Sequence, residues 1–152
     1  MVVSREFFNL VTYGVFQALA ELYGKEGWRV PPAFGEIAFR ELKKRIKFDG
    51  LKPIEALNKL ARYFEKVGYI EKIGFEQIGE NELIYSMEGV SIDWAVSKLK
   101  EEGGVLPHYS TYIYTAALKE LFDVEIEMID LEFSVVEGKF CATEKWILRK
   151  RG

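Results

Sequence analysis

The chain has 152 residues, 49% of them apolar and 14% aromatic, enough for one domain with a sizeable core. Its net charge of −3 supplies no general attraction to nucleic acid or anionic lipid. A single cysteine, Cys141, excludes an intrachain disulfide and suits a reducing compartment.

No run approaches the roughly 20 apolar residues of a membrane span. The first residues also lack the basic region and small-residue cleavage site of a secretory signal, so a cytoplasmic location is expected. Charged residues make up 30% of the chain, with Lys and Glu foremost and only two Gln and three Asn. That bias is the one reported for hyperthermophile proteins, so a thermophilic source is expected.

Ser4 suits a helix cap and Gly24 a helix stop, which predicts a first helix over 4–23. Between Phe7 and Ala20 it has no charge, and only Asn9, Thr12 and Gln17 interrupt its apolar surface. A helix apolar nearly all round should be buried on more than one side. The helix 4–23 is therefore the expected contact of a homodimer.

Residues 24–32 read as a loop carrying Trp28, and a second helix is expected over 32–46. Phe34, Ile37, Ala38, Leu42 and Ile46 form its apolar stripe. After the turn at Asp49-Gly50, Pro53 stands where a first helical residue tolerates proline, opening a third helix to Val67. Ile54, Leu57, Leu60, Ala61 and Phe64 recur at helical spacing, and Gly68 ends the helix.

Gly79-Glu80-Asn81, between apolar-rich runs at 69–78 and 82–87, is a hairpin signature. A helix is expected over 91–102, with Ile92, Ala95, Val96 and Leu99 inward. The last helix, 107–122, begins with Pro107 and keeps Thr115-Ala116-Ala117 in its middle, small enough to lie close against a sheet.

Strands are expected over 124–133 and 139–148. In the first, Val124, Ile126 and Met128 alternate with Glu125 and Glu127, after which the phase flips to Ile129, Leu131 and Phe133. Such a slip is the mark of a β-bulge. In the second, Phe140, Ala142, Trp146 and Leu148 share one face, leaving Cys141 on the other, beside Asp130 if the apolar faces match. The basic end, Lys145, Arg149, Lys150 and Arg151, reads as a solubilising fringe. The whole, 1–152, is expected to be one α+β domain.

The run 111–121, the strand start Val124-Glu125-Ile126-Glu127 and the spacing Asp130-x2-Phe133-x7-Cys141 resemble the vinyl-4-reductase domain. That family is grouped with the haem–nitric-oxide-binding domains and the Bet3-like subunits of Golgi transport particles. The likeness extends upstream through 54–67 and the hairpin. It implies an antiparallel four-stranded sheet with helices packed on one side, a dimer, and an apolar pocket between helices and sheet.

Zinc-holding members carry a Cys at the start of the last helix, then Glu-x2-Cys-x7-Cys. The corresponding residues here are Pro107, Asp130, Phe133 and Cys141. Structural zinc takes four ligands, so the resemblance implies a degenerate site at Asp130 and Cys141 and no metal. Haem-binding relatives need an axial histidine and a Tyr-x-Ser-x-Arg run, and Tyr109-Ser110 lacks the arginine. No cofactor is implied.

The candidate ligand-binding residues are Trp94, His108, Tyr109, Tyr112 and Phe133. His108, the sole histidine, falls in the first turn of the last helix, where the helix dipole favours a neutral ring. It reads either as a packed residue or as a polar handle at a pocket mouth. Tyr109, Tyr112 and Ala116 share one stripe of that helix, whereas Tyr114 faces core or interface. The rings are either plain core or the lining of an apolar cavity.

Cys141 has no neighbouring base, and no phosphate-binding loop or paired-histidine metal motif occurs. Binding is thus expected over catalysis, and three readings stay open. The first is a homodimeric sensor or carrier for a small hydrophobic or aromatic molecule. The second is a winged-helix DNA-binding regulator built on 32–90, with Lys59, Arg62 and Lys66 toward phosphate, although the acidic balance disfavours nucleic acid. The third is a structural dimerisation or adaptor domain whose pocket is filled.

Overall fold

Ser4 accepts a hydrogen bond from the Phe7 amide at 3.1 Å, and Gly24, at φ 53°, ends the helix so begun, α1 (Arg5–Tyr23). The computed structural model describes residues 3–151. A 3₁₀ segment, Gly24–Arg29, occupies the expected loop and runs straight into α2 (Val30–Leu42). That helix starts earlier than its periodicity suggests because Pro31 and Pro32 both fit a first turn. The last residues of the predicted helix, 43–46, form turns instead.

Pro53 opens α3 (Pro53–Lys66), where the Glu55 carboxylate reaches back to the Lys52 amide at 2.6 Å. The hairpin β1 (Ile70–Gly79) and β2 (Glu82–Val90) follows, then α4 (Asp93–Glu101) and α5 (Tyr109–Phe122). The chain closes with β3 (Val124–Val136) and β4 (Lys139–Lys150), longer than predicted. Their turn, Glu137-Gly138, has both residues at positive φ, the twist that a two-residue hairpin requires.

The sheet is antiparallel throughout, in the order β1-β2-β4-β3. The register of β3 against β4 shifts between Met128 and Asp130, so the phase flip at Ile129 is a bulge. Leu83, Tyr85, Met87, Ala142, Glu144 and Trp146 point to the covered face, beneath α3 and α5. The architecture is the expected α+β arrangement.

The core centres on Phe75, Tyr85, Tyr114 and Trp146, whose rings lie 5.0–5.8 Å apart. Tyr85, Tyr114 and Trp146 are fully buried, each burial worth about 2–3 kcal/mol of transfer free energy. Tyr114 is therefore core. Among the described residues, no helix is long and apolar enough to cross a membrane.

Helix α1 departs from its expected burial. Its buried residues are Asn9, Thr12 and Phe16, so two of its three polar interruptions are covered. The Asn9 amide donates to the Ser91 carbonyl at 2.8 Å, and its oxygen accepts from the Ala95 amide at 2.9 Å. Phe7, Leu10, Val11, Val15 and Leu22 face outward instead. Within one copy of the chain this helix is covered on one side only.

The two helices of the winged-helix alternative pack on different elements. Helix α2 lies against α5, while α3 packs on β1 and α5. Lys59 donates to the Lys47 carbonyl and Arg62 to that of Ile73, so two of the three cations assigned to phosphate are held by backbone.

Candidate functional site

The space beneath α5 is where a ligand was expected. It is filled. The void bounded by His108, Ser110, Phe133, Phe140 and Ala142 holds about 10 Å³, the size of one water-sized probe. A drug-sized guest needs about 300 Å³ or more, so none fits between α5 and the part of the sheet formed by β2 and β4. Large rings on β2, β4 and α5 occupy the volume.

Directly beside that void a carboxylate is buried. Glu144 follows the apolar phase of β4 between Ala142 and Trp146 and is 0% exposed. Thr111 on α5 donates to it at 2.9 Å, and the Trp146 indole N–H donates at 2.9 Å. Burial pushes its carboxyl up to about 7, and these two hydrogen bonds only partly offset that rise. On the far side stands His108, with Nδ1 3.8 Å from Glu144 Oε2. That separation exceeds a hydrogen bond. Burial also lowers the imidazole to about 4, so the pair is not an ion pair at neutral pH. His108 Nε2 is buried without a hydrogen-bond partner.

A larger concavity lies on the outer side of α5. It is a groove of about 360 Å³ bounded by the 3₁₀ segment, α2, α5 and β3. Trp28, Leu106, His108, Tyr112, Met128 and Leu131 supply its mostly apolar walls. Three further surface depressions of about 280–350 Å³, near Lys52 and Lys150, around Lys43–Leu51 and around Arg40 and Arg151, have no buried polar atom without a partner in their lining. Close approach of α2 to α5 shapes the chosen groove. A Cβ on Gly35 would stand 2.2 Å from the Tyr112 carbonyl oxygen, so only glycine permits this contact.

The five candidate residues do not converge on one site. His108 and Phe133 share the small void, their rings stacked 6.2 Å apart, whereas His108 and Tyr112 share the outer groove. Tyr109 turns into an aromatic cluster with Phe8, Phe16 and Phe34 and donates to Thr12 at 3.1 Å. Trp94 lies on α4 beside Tyr13, half exposed and away from both cavities.

Asp130 and Cys141 do lie on one face of the sheet, but Asp130 pairs with Lys145 and Cys141 with Ser134. Four residues of strand separate them, roughly 13 Å, too far to share a metal ion. Among the described residues no three His, Cys, Asp or Glu side chains are grouped to hold one. Glu144 and Trp28 were not among the candidates. The signal for Glu144 was its place in the apolar phase of β4. Trp28 offered no such signal, because its position depends on how α2 meets α5.

A variant of Tt H-NOX superposes with a TM-score of 0.57 at 12% identity, covering 91% of this chain and 70% of that one. A Cs H-NOX variant carrying 4-cyano-L-phenylalanine gives 0.58 at 11% identity, with 90% and 70% covered. A structure described by haem redox potential modulated through porphyrin distortion gives 0.53 at 10% identity, with 88% and 71% covered. The chain has an H-NOX-like fold. No protein-family model matches the sequence, and no curated protein does.

An H-NOX-like fold raises the question of haem. The unpartnered His108 Nε2 has the chemistry of an axial ligand. The space does not. A porphyrin needs a slot several hundred Å³ in volume, while the void between the His108 ring and strands β2 and β4 holds about 10 Å³, and Nε2 is closed off from the larger groove that the same residue borders. The residues present do not fit the group.

Proposed function

We propose that this chain is a non-catalytic binding module for a small hydrophobic or aromatic molecule, serving as a sensor or carrier. The observation that carries the reading is the apolar groove of about 360 Å³ on the outer side of α5, with His108 and Tyr112 in its wall. Its size and lining suit one small apolar guest. Kinship with vinyl-4-reductase domains belongs to the same proposal, supported by the 111–141 residues and by the H-NOX-like fold. Trp94, Tyr109 and Phe133 lie outside the groove, so the proposed contacts narrow to His108 and Tyr112.

The reading includes a homodimer through α1, supported by the outward apolar stripe of that helix. A second reading, a structural dimerisation or adaptor domain, gains support from the filled interior.

Tryptophan fluorescence separates the two. Trp28 lines the groove while Trp146 is fully buried in the core. Apolar aromatic compounds should quench or shift the emission of the wild type, and Trp28→Phe should lose that response. Silence across a broad panel of such compounds would leave the adaptor reading standing alone.

A further inference from the structure

We propose that the groove outside α5 takes an apolar molecule ending in one carboxylate, its apolar body against Leu106, Met128 and Leu131 and its charge between Arg40 and Lys119. This rests on the reading of the groove as a ligand site and adds the chemistry of the guest.

The apolar half of the groove gives a guest room but no polar anchor. The Tyr112 hydroxyl donates to the Leu106 carbonyl, and the Thr115 hydroxyl donates to that of Thr111 at 2.7 Å. His108 Nε2 is buried out of reach. Nothing at this end fixes which way round a guest lies.

The other end is charged. Past Ala116 the groove runs into a second depression of about 280 Å³ along the same two helices, and both are lined by Glu36, Ala116 and Lys119. Arg40, Arg151 and Glu120 bring further charges there. Two of these are answered from outside, because Lys43 pairs with Glu120 at 2.7 Å and Glu125 with Arg151 at 3.2 Å. That leaves Arg40, Lys119 and Glu36, two cations against one acid.

Neither cation is firmly held. Lys119 Nζ stands 3.4 Å from Glu36 Oε1, longer than the roughly 2.7–2.9 Å of a close charge-assisted contact. Arg40 makes no ion pair among the described residues, although Glu36 lies one turn before it on α2. Helical side chains lean toward the N-terminus of their own helix, which sets both cations over the groove rather than over the carbonyl ends of α2 and α5. One guest carboxylate brings this trio to neutrality, and a guanidinium offers it a planar pair of donors. Tyr112 and Lys119 are about 10 Å apart along α5, which sets the distance from apolar body to charge.

6-Phenylhexanoate and 6-phenylhexan-1-ol have the same ring and chain and differ in charge. Calorimetric titration of the full chain at about pH 7.5 and low salt, where the acid is ionised, should show it binding about five-fold tighter than the alcohol. Added salt should shrink that preference, since Arg40 and Lys119 are exposed to solvent. Arg40→Gln, with folding checked by circular dichroism, should bind the two probes alike and keep the wild-type affinity for the alcohol. Glu36→Gln removes the competing carboxylate and should widen the preference. Equal affinity of the two probes for the wild type, or a preference unchanged in Arg40→Gln, overturns the proposal while the groove reading survives. Binding of neither probe overturns it too, and a silent tryptophan response across the apolar panel then removes the groove reading with it.

Discussion

Burial acts on Glu144 and His108 in opposite senses, raising the carboxyl and lowering the imidazole. The Glu144 carboxyl rises from 4.5 to about 7, so the folded protein keeps a proton that the unfolded chain releases. Its stabilising contribution is complete below pH 4.5 and is lost as pH rises toward 7. The His108 imidazole falls from 6.5 to about 4, so the unfolded chain takes up the proton first. That contribution is complete above pH 6.5 and is lost as pH falls toward 4. Between pH 4.5 and 6.5 the two slopes oppose each other, and the wild type should be nearly flat from this pair. In Glu144→Gln, stability should climb with pH from about 4 to 6.5, by on the order of 3 kcal/mol. In His108→Gln it should decline from about 4.5 to 7 by a similar amount. Urea midpoints measured across this range check both, and level profiles in the two variants would contradict the burial of these groups. Glu144 was legible in the sequence as a charge in the apolar phase of a strand. Its partners Thr111 and Trp146 were not, because Thr111 arrives from α5, 33 residues earlier in the chain.

At the scale of elements, α2 and α5 show how one missing side chain sets a helix pair. In an isolated helix Gly35→Ala would stabilise by about 1 kcal/mol, through propensity alone. Here the new Cβ meets the Tyr112 carbonyl oxygen at 2.2 Å, a backbone atom that cannot rotate away. Overpacking of this kind costs about 1–3 kcal/mol, and the rigidity of a backbone neighbour places it at the upper end. The clash outweighs propensity, so Gly35→Ala should lower the urea midpoint and separate α2 from α5 at the groove. A midpoint at or above that of the wild type would show that the helices are less closely packed. Caps, stops and the β3 bulge were legible because each is decided within a few neighbouring residues. Which glycine marks a close crossing was not, since Gly14 and Gly35 both sit inside apolar helices while only Gly35 touches another element.

For the whole molecule, α1 carries the main unanswered surface. Asn9 and Thr12 dock the helix, and Leu10 at 58% and Phe7 at 57% exposed belong to an apolar stripe with Val11, Val15 and Leu22. Exposed apolar patches of this extent on a single chain mark contact sites. A lipid surface is a poor match, because α1 has only Arg5 as a basic residue against Glu6 and Glu21. Sedimentation equilibrium should give twice the chain mass for the wild type and the single mass for Leu10→Glu, with helix content retained. Monomeric wild type at micromolar concentration would remove the homodimer from the proposed function.

Local signals in the sequence determined the helices and strands, their caps and turns, the bulge and the alternation of each strand, because 3.6- and two-residue periods are set by neighbours along the chain. Only the tertiary structure decided that the volume beneath α5 is full, that a groove opens on its outer side, and that the apolar side of α1 faces outward. Those outcomes depend on how side chains from distant segments fill a shared space at interior packing density, and a period along one segment carries no measure of that volume.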